Sequence, residues 1–324
     1  MKKKYPKVTV LLTLRNSVET IRSCIDSLLK LKYPNYEIFV VDAFSSDGSY
    51  EILKSYGKKI ILYQVKGWAP VAYNWALQRI KSEYISLIDA DCTVPRNWLK
   101  ELLKGFKSPD ILEVGGFCVS PKSKSRLQNL LGRELEDRFK HIPKYAKKVP
   151  TMNVAFRTTV AKKLKFREDL RVGYDVDFSF RIRKLGGKIF YNKNAKMYHY
   201  HRSTWRSLFK QQFNYTTNLP LVYFGRYIEG MKGDPISKPS MMIQLLLGYL
   251  FVLGLFLSLA NIRIIYFSLI ILIILFLHYI YDSMRLSKKI SDFLLYIVIF
   301  LYRNIAWNLG MLNGLVLFIK KKLI

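Results

Sequence analysis

The sequence predicts an α/β domain built on a mostly parallel sheet, followed by helices that cross a membrane. From residue 8 to about 116, apolar runs of strand length alternate with helical segments, an order typical of a parallel sheet covered by helices. Residues 241–260 and 264–281 hold no charged side chain, and each stretch is long enough to span a bilayer. The 324 residues are sufficient for both parts.

The elements of the α/β part follow from apolar periodicity and from turn residues. The helix over 19–31 places Ile21, Ile25 and Leu28 on one face. We predict strands over 8–12, 37–42, 60–63 and 84–88, and helices over 19–31, 47–56, 69–80 and 95–106. Ligands of parallel sheets bind beyond the carboxyl ends of the strands, where Asp42, Asp89 and Asp91 stand.

Residues 120–200 read as mixed α and β structure added to this sheet. A short strand over 152–156, a helix over 174–185 and a strand over 188–191 are expected, with loop- or helix-like basic sequence over 122–148. Residues 203–227 mix aromatic and basic side chains, as segments at a membrane surface do. We therefore predict three regions: a catalytic domain over 1–225, a linker or interface segment over 226–240, and a membrane domain over 241–324.

Charge indicates how the membrane part is oriented. Lys and Arg number 53 against 23 Asp and Glu, a formal net charge of +30, which suits an anionic bilayer surface or phosphorylated substrates. Arg285, Lys288 and Lys289 follow the second span, so their loop is expected in the cytoplasm. No apolar signal segment follows the basic N-terminus, so a cell-membrane protein with a cytoplasmic catalytic domain is expected.

The third hydrophobic region, residues 290–319, also contains Asp292 and Arg303. It is open to three interpretations: a further span, a re-entrant pair, or an interfacial helix. The basic run at 320–322 favours the cytoplasm and thus an even number of crossings. The three cysteines form no CxxC pair, so neither a disulfide framework nor a zinc site is expected.

The most informative motif is a pair of carboxylates, Asp89 and Asp91, directly after a buried strand. Two acids so close repel each other, and no basic residue separates them. A divalent cation carrying phosphates accounts for the pair, whereas the alternative is two solvated acids in a turn. Nucleic acid is not an expected partner, because these carboxylates would repel its phosphates unless metal-bound.

Three segments, in order, resemble the family 2 glycosyltransferases, which have the GT-A fold. They are residues 40–49 (VVDAFSSDGS), residues 89–91 (DAD) and residues 173–181 (GYDVDFSFR), and the resemblance covers about 5–225. It implies a nucleotide-sugar enzyme that uses Mn²⁺ or Mg²⁺. In this family the acid matching Asp91 ligates the metal, and the acid matching Asp89 contacts the ribose or the metal.

The resemblance also implies a nucleotide pocket. Asp42 matches an acid that bonds the nucleotide base, with a turn or helix-cap acid as the alternative reading. Asn16, Lys66 and Asn74 lie near the family's other nucleotide-contacting segments. We expect the donor to be a UDP-sugar in preference to a GDP-sugar.

For catalysis, the resemblance places Asp175 as the general base that takes the proton of the acceptor hydroxyl. Asp177 could orient Asp175 or act in its place. The alternative for both is that acids in the first turn of a helix favour the helix dipole. Tyr174 stands where the family has a glutamate.

Candidates for the metal, diphosphate or acceptor lie in and after the mixed region. His199 or His201 could ligate the metal, and His201 is the one assigned. Arg202, Gln211 and Asn153 are assigned to the acceptor or the diphosphate. A Gln-x-x-Arg-Trp sequence, which marks processive synthases, does not follow Gln211, so transfer of a single sugar is expected.

The sequence thus predicts an inverting, metal-dependent glycosyltransferase at the cytoplasmic membrane face. It would move one sugar from a nucleotide donor to a lipid-linked polyprenyl or dolichyl glycan. The alternatives are a polyprenyl-phosphate sugar synthase, a non-catalytic membrane assembly partner, and a nucleic-acid-binding protein.

Overall fold

The computed structural model describes residues 5–220 and 235–323, and side chains to residue 320. The chain divides into two compact units. The first contains Met1–Pro121 and Phe139–Tyr200, and the second contains Lys122–Arg138 and His201–Ile324.

The first unit is built on one sheet, which has eight strands in the described part of the chain, in the order β3-β2-β1-β4-β7-β6-β8-β5. Strands β1 to β4 are mutually parallel where they pair, β7 runs antiparallel to β4 and β6, and β8 is parallel to β6. The predicted α/β fold with a mostly parallel sheet is therefore confirmed. The strands are β1 Val8–Leu14, β2 Tyr36–Asp42, β3 Ile61–Gln64, β4 Tyr84–Asp89, β5 Cys92–Thr93, β6 Ile111–Val119, β7 Asn153–Arg157 and β8 Lys188–His199.

The helices described fall in both units. They are α1 Ile21–Leu29, α2 Ser49–Lys54, α3 Ala69–Arg79, α4 Trp98–Leu103, α5 Arg126–Lys140, α6 Thr158–Leu164, α7 Tyr174–Lys184, α8 Trp205–Thr217, α9 Pro239–Leu257, α10 Ile264–Leu286 and α11 Ile290–Leu323. Helix α1 buries the face predicted from its spacing, Ile21, Ile25 and Leu28, together with Cys24. Burying a side chain of this size stabilises the fold by roughly 1.5–3 kcal/mol.

The register of the sheet brings the predicted acids to one edge. Leu14, the last residue of β1, pairs with Asp42 on β2, and Thr13 pairs with Asp89 on β4. Both acids thus flank the carboxyl end of the same central strand. This is the edge at which open α/β sheets bind ligands.

Three strands differ from the sequence-based expectation, among them the two-residue strand β5, which was not predicted. Strand β6 was not predicted, because Gly115 and Gly116 interrupt its pattern and glycine disfavours strands. A Cβ on Gly116 would lie 2.2 Å from the Ala195 carbonyl oxygen, so close approach of the β8 backbone requires glycine there. Strand β8 has 12 residues, longer than predicted, because it continues through polar residues past its apolar start.

In the second unit, α9, α10 and α11 are, among the described residues, the helices long and apolar enough to cross a membrane. Helices α9 and α10 match the predicted spans at 241–260 and 264–281. Helix α11 is uninterrupted, which excludes the re-entrant pair at 290–319.

Helices α5 and α8 group with α11 in the second unit. We had predicted instead that residues 1–225 form one domain. The Tyr296 hydroxyl donates to the Leu130 carbonyl oxygen at 2.9 Å, and the Tyr302 hydroxyl donates to that of Trp205 at 3.1 Å. These contacts explain why residues 122–138 and those after 200 group with the C-terminal helices. The predicted boundary at 225, and most of the 226–240 linker, lie outside the described residues.

Candidate active site

The carboxylate of Asp91 lies beside an imidazole. In the antiparallel pair of β5 and β8, Cys92 stands opposite His199, and this brings His199 Nε2 to 3.4 Å from Asp91 Oδ2. Burial of His199 disfavours its charged form, but bonding to Asp91 and Cys118 outweighs burial and raises its pKa to about 10.

This donor set fits a divalent cation. The ligand atoms of Asp91, Cys92 and His199 all lie within 4.8 Å of one another. Carboxylate oxygen and imidazole nitrogen are usual ligands of Mn²⁺ and related ions. His199, rather than His201, is the histidine beside Asp91. His201 belongs to the second unit, where its carbonyl oxygen accepts from Gln128 Nε2.

Two tyrosines, the buried Tyr73 and the half-buried Tyr174, connect the strand edge with helix α7. The Tyr73 hydroxyl bonds with Thr13 and Tyr174, and the two rings lie 6.1 Å apart. Burial raises the pKa of both phenols, and the charges of Asp89 and Asp175 raise them further. The phenols therefore stay neutral, and they lie close to both carboxylates. Sequence reasoning missed Tyr73, for which the only signal was an aromatic residue on the inner face of α3.

Helix α7 presents two acids that have different environments. Gly173, with φ +79°, begins the helix, and Asp175 Oδ1 accepts from the Val176 amide at 2.9 Å. Asp175 is half-buried, whereas Asp177 is fully buried and its Oδ2 accepts from Arg181 Nε at 2.7 Å. Arg181, which also lies on α7, donates to the Leu164 carbonyl oxygen at 2.6 Å, so Asp177 orients the side chain that ties α7 to the end of α6. Of the two acids, Asp175 is therefore the more exposed, and its predicted role as general base stays a prediction.

Asp42 and Asn16 order the loops after β2 and β1. Asp42 is fully buried, and its Oδ2 accepts from the Ser45 amide at 3.0 Å and from Gln64 Nε2 at 2.9 Å. The Asn16 amide donates to Ser45 Oγ at 2.9 Å, and its Oδ1 accepts from the Ser46 amide at 2.9 Å. These contacts give both residues a structural role, and the predicted contact of Asp42 with a nucleotide base stays a prediction.

The side-chain amides of Asn74 and Asn153, both predicted to contact a ligand, are hydrogen-bonded within the protein. Asn74 Nδ2 donates to the Phe166 carbonyl oxygen at 2.7 Å, and its Oδ1 accepts from the Phe166 amide at 2.7 Å. Asn153 Oδ1 accepts from Trp98 Nε1 at 2.8 Å, and its Nδ2 donates to the Ala195 carbonyl oxygen at 2.9 Å. Each amide is buried and bonded at both ends, which gives it a structural role, and its predicted contact with nucleotide or acceptor stays a prediction.

The remaining predicted residues are exposed or lie in the second unit. Lys66 is exposed between β3 and α3, at the carboxyl edge of the sheet. Arg202 is exposed before α8, and Gln211 on α8 accepts from Gln212 Nε2 at 3.4 Å. The roles of these three residues stay predictions.

Comparison with known proteins identifies the domain. Residues 9–168 match the model of glycosyl transferase family 2. This chain contains a family 2 glycosyltransferase domain. The matched residues include both loops at the carboxyl edge, Asp89, Asp91 and Asn153.

Curated relatives share part of this domain. Glycosyltransferase GlyG of Streptococcus pneumoniae serotype 4 is 31% identical over 108 residues, which are 32% of this chain and 36% of that protein. Glycosyltransferase AglE of Haloferax volcanii is 25% identical over 118 residues, which are 34% of this chain and 39% of that protein. The chain therefore spans less than half the length of either relative.

Solved structures show the same GT-A fold. The mannosyltransferase PcManGT from Pyrobaculum calidifontis, in complex with GDP-Man and Mn²⁺, aligns with a TM-score of 0.56 at 18% identity. The alignment covers 97% of this chain and 87% of that one. GalNAc-T7 with UDP, GalNAc and Mn²⁺ aligns with a TM-score of 0.51 at 15% identity, over 62% of this chain and 45% of that one.

Proposed function

We propose that this protein is an inverting, metal-dependent glycosyltransferase that moves a single sugar from a nucleotide donor to a lipid-linked acceptor. The observation that carries the proposal is the group formed by Asp91 and His199, 3.4 Å apart at the carboxyl edge of a family 2 domain. Three long apolar helices in the same chain support an acceptor that is reached at a membrane, on its cytoplasmic face.

The donor part of the site suits a nucleoside diphosphate sugar. Asp91 and His199 would hold Mn²⁺ or Mg²⁺, and Asp89 would contact the ribose or the ion. When bound, such an ion offsets the charge that develops on the diphosphate as the sugar leaves. UDP-sugars remain the first expectation, although the structural neighbours include proteins solved with GDP-Man as well as with UDP.

The acceptor part of the proposal depends on Asp175. Its half-buried carboxylate at the start of α7 would accept the proton of the acceptor hydroxyl as that oxygen attacks the anomeric carbon. An acceptor that is already ionised, such as a polyprenyl phosphate, needs no base. Replacing Asp175 with Asn should therefore lower kcat by on the order of 10²-fold for a hydroxyl acceptor, but only slightly for a phosphate acceptor.

The proposal is tested by calorimetry on detergent-purified protein, titrated with UDP, UDP-sugars and GDP-mannose, with and without Mn²⁺. Metal-dependent binding is expected, and Asp91→Ala should abolish it. Glu83→Ala is the matched control, because Glu83 is an exposed acid just before the other end of the β4 strand. Folded protein that binds none of these nucleotides would overturn the proposal.

A further inference from the structure

We propose that the second unit binds the headgroups of anionic phospholipids through a patch of exposed cationic side chains. The patch, called the basic patch below, is formed by Lys122, Lys124, Arg126, Arg206, Lys288 and Lys289. None of these residues belongs to the first unit, which carries Asp91. The inference rests on the membrane location proposed above, but it does not depend on sugar transfer.

Three segments that are distant in sequence meet at the start of helix α5. The Ser125 hydroxyl donates to the Ser203 carbonyl oxygen at 3.3 Å, just before α8 begins. Arg126 Nη2 lies 3.1 Å from Asp292 Oδ1, in the first turn of α11. These contacts bring the cations before α5, at the start of α8 and before α11 to one part of the second unit.

Buried packing holds these segments in place. Apolar side chains of α5, α8, α10 and α11 form one cluster, which includes Leu127, Leu208 and Leu286. Arg133 Nη1 also donates to the Leu286 carbonyl oxygen at 3.2 Å, which ties the end of α10 to α5. The basic patch therefore belongs to packed helix ends, so its cations stay together without a ligand.

The described part of the second unit exposes no acid to balance these cations. Its acidic residues are all buried or half-buried: Glu134, Glu136, Asp137, Asp282 and Asp292. Asp292 is shared by Arg126 and Arg133, at 3.1 and 2.9 Å. One carboxylate therefore compensates two guanidinium groups, and the basic patch keeps a net positive charge that attracts anions.

The basic patch lies at the level where lipid headgroups would be. Helix α10 is long and apolar enough to cross a membrane, and Lys288 and Lys289 follow shortly after its last residue, Leu286. The headgroup region on each side of the hydrocarbon core is about 5–7 Å thick. Lysine side chains so close to the end of a span reach that region.

Helix α11 adds an apolar face next to the basic patch. From its first residue, large apolar side chains recur every three or four positions and are 38–75% exposed: Ile290, Leu294, Val298, Leu301 and Ile305. Residues at this spacing share one face of a helix. Exposed apolar residues beside cations suit a bilayer boundary, whereas nucleic acid would leave the apolar face in water. An anionic membrane is therefore the partner that matches both surfaces.

The chemistry of the patch favours anionic over zwitterionic lipid. Lysine and arginine donate charge-assisted hydrogen bonds to phosphate oxygens. Phosphatidylglycerol carries a net negative charge, whereas choline cancels the phosphate charge in phosphatidylcholine. Since each cation close to an anionic surface contributes about fivefold in affinity, the patch as a whole should give a preference of about tenfold or more.

The test is native mass spectrometry of the whole chain, purified in detergent and exchanged with an equimolar mixture of phosphatidylglycerol and phosphatidylcholine. We expect the wild-type protein to retain phosphatidylglycerol over phosphatidylcholine by about tenfold or more. Replacing Lys122, Lys124, Lys288 and Lys289 with Gln should bring the two lipids to nearly equal retention. Replacing the same lysines with Arg keeps the charge and should keep the preference.

The matched control carries Gln at exposed lysines of the first unit, Lys58, Lys59, Lys162 and Lys163. It loses the same charge and should keep the preference for phosphatidylglycerol. Thermal denaturation of each variant checks that it is folded. Equal retention of both lipids by the wild-type protein, or a folded Lys→Gln variant of the patch that keeps the preference, would overturn the inference.

Fluorescence anisotropy with single-stranded RNA tests the other polyanion. RNA that binds the wild-type protein and displaces phosphatidylglycerol would also overturn the inference, because it would assign the basic patch to nucleic acid. Metal-dependent nucleotide binding without the lipid preference would contradict this inference alone. The lipid preference without nucleotide binding would contradict the proposed sugar transfer alone.

Discussion

Polar side chains near the carboxyl edge of the sheet fall into two groups. Asn153 and Asp177 are buried and fully bonded to their neighbours, so their loss would leave unsatisfied donors or an unpaired charge. Asp91 and Asp175 are only half-buried, so part of each residue contacts solvent. Motif patterns alone did not separate these groups, because the difference depends on partners that are distant in sequence.

Phe44 shows local strain at this edge. It has φ +54°, in the left-handed region, and its side chain is 54% exposed. Replacing it with Gly should raise the free energy of unfolding by about 1 kcal/mol, since glycine adopts this backbone without a Cβ clash. Thermal denaturation in detergent measures the change. Phe44→Ala keeps the Cβ and should give no such gain in stability. A loss of stability in Phe44→Gly would show that the backbone at Phe44 is not strained.

Glu113 should make stability depend on pH. Burial, and secondarily the charge of Asp175, hold the pKa of Glu113 well above its usual value, and both its oxygens accept from Ser179 Oγ, at 3.2 and 3.1 Å. The folded state therefore keeps a proton that the unfolded state loses. Above the unfolded pKa, stability falls as pH rises, by at most about 1.4 kcal/mol per pH unit, until the folded pKa is passed.

Glu113→Gln removes this ionisation and retains a hydrogen-bonding amide. The difference in melting temperature between wild-type protein and Glu113→Gln should therefore grow in favour of the variant from pH 5 to pH 8. If the melting temperatures of the two proteins changed in parallel across this pH range, Glu113 would ionise equally in the folded and unfolded states.

At the scale of elements, helix α5 is tied to α11 by buried charge. Arg303 Nη1 lies 2.6 Å from Glu134 Oε1, and both side chains are more than nine-tenths buried. At one end of the same helix pair, Asp292 accepts from Arg126 at 3.1 Å and from Arg133 at 2.9 Å. These pairs fix the register of α5 along α11.

Breaking the buried pair on one side should be costly. Arg303→Met leaves the Glu134 carboxylate buried without its partner and should lower stability by about 3–5 kcal/mol. Adding Glu134→Gln to that variant should recover most of the loss. Lys288→Met, at an exposed cation, is the control. Equal melting temperatures for Arg303→Met and the control would contradict the role of this pair.

An element can be predicted when the residues that specify it are close together in the sequence. Strands β1 to β4 and their helices were predicted because the spacing of apolar residues and the turn residues can be read from neighbouring positions in the sequence. Strand β6 and the middle of β8 were missed, because glycines and polar residues there are accommodated by partner strands. Asp89 and Asp91 were found because they are only one residue apart in the sequence. The contact between Cys92 and His199 depends instead on the pairing of strands β5 and β8.

At the scale of the whole molecule, α11 raises the question of how many times the chain crosses the membrane. In its most apolar 18-residue stretch 44% of the residues are buried, against 22% in the corresponding stretches of α9 and α10. Helix α8, which packs on α11 through Trp205 and Gln212, exposes Arg206 and Lys210. A spanning α11 would take these charges into hydrocarbon, at a cost of several kcal/mol. We therefore expect α11 to lie at the interface, which leaves two crossings.

Labelling with a membrane-impermeant maleimide tests this topology, since the native cysteines are buried. Single cysteines at Asn261, Ser287 and Lys320 report on the loop after α9, the loop after α10 and the end of α11. Two crossings place positions 287 and 320 on the cytoplasmic face and 261 on the other face. Labelling of 320 together with 261 would show that α11 spans.

In the function proposed above, the Asp91 edge of this domain transfers sugar to a lipid. The most direct measurement is incorporation of labelled sugar from UDP-sugars and GDP-mannose into polyprenyl lipid extract, using purified protein with Mn²⁺. We expect metal-dependent labelling of lipid that falls by on the order of 10²-fold in Asp91→Ala and persists in Glu83→Ala. Labelling that is equal in wild-type protein and Asp91→Ala, or no lipid labelling from any of these donors, would contradict it.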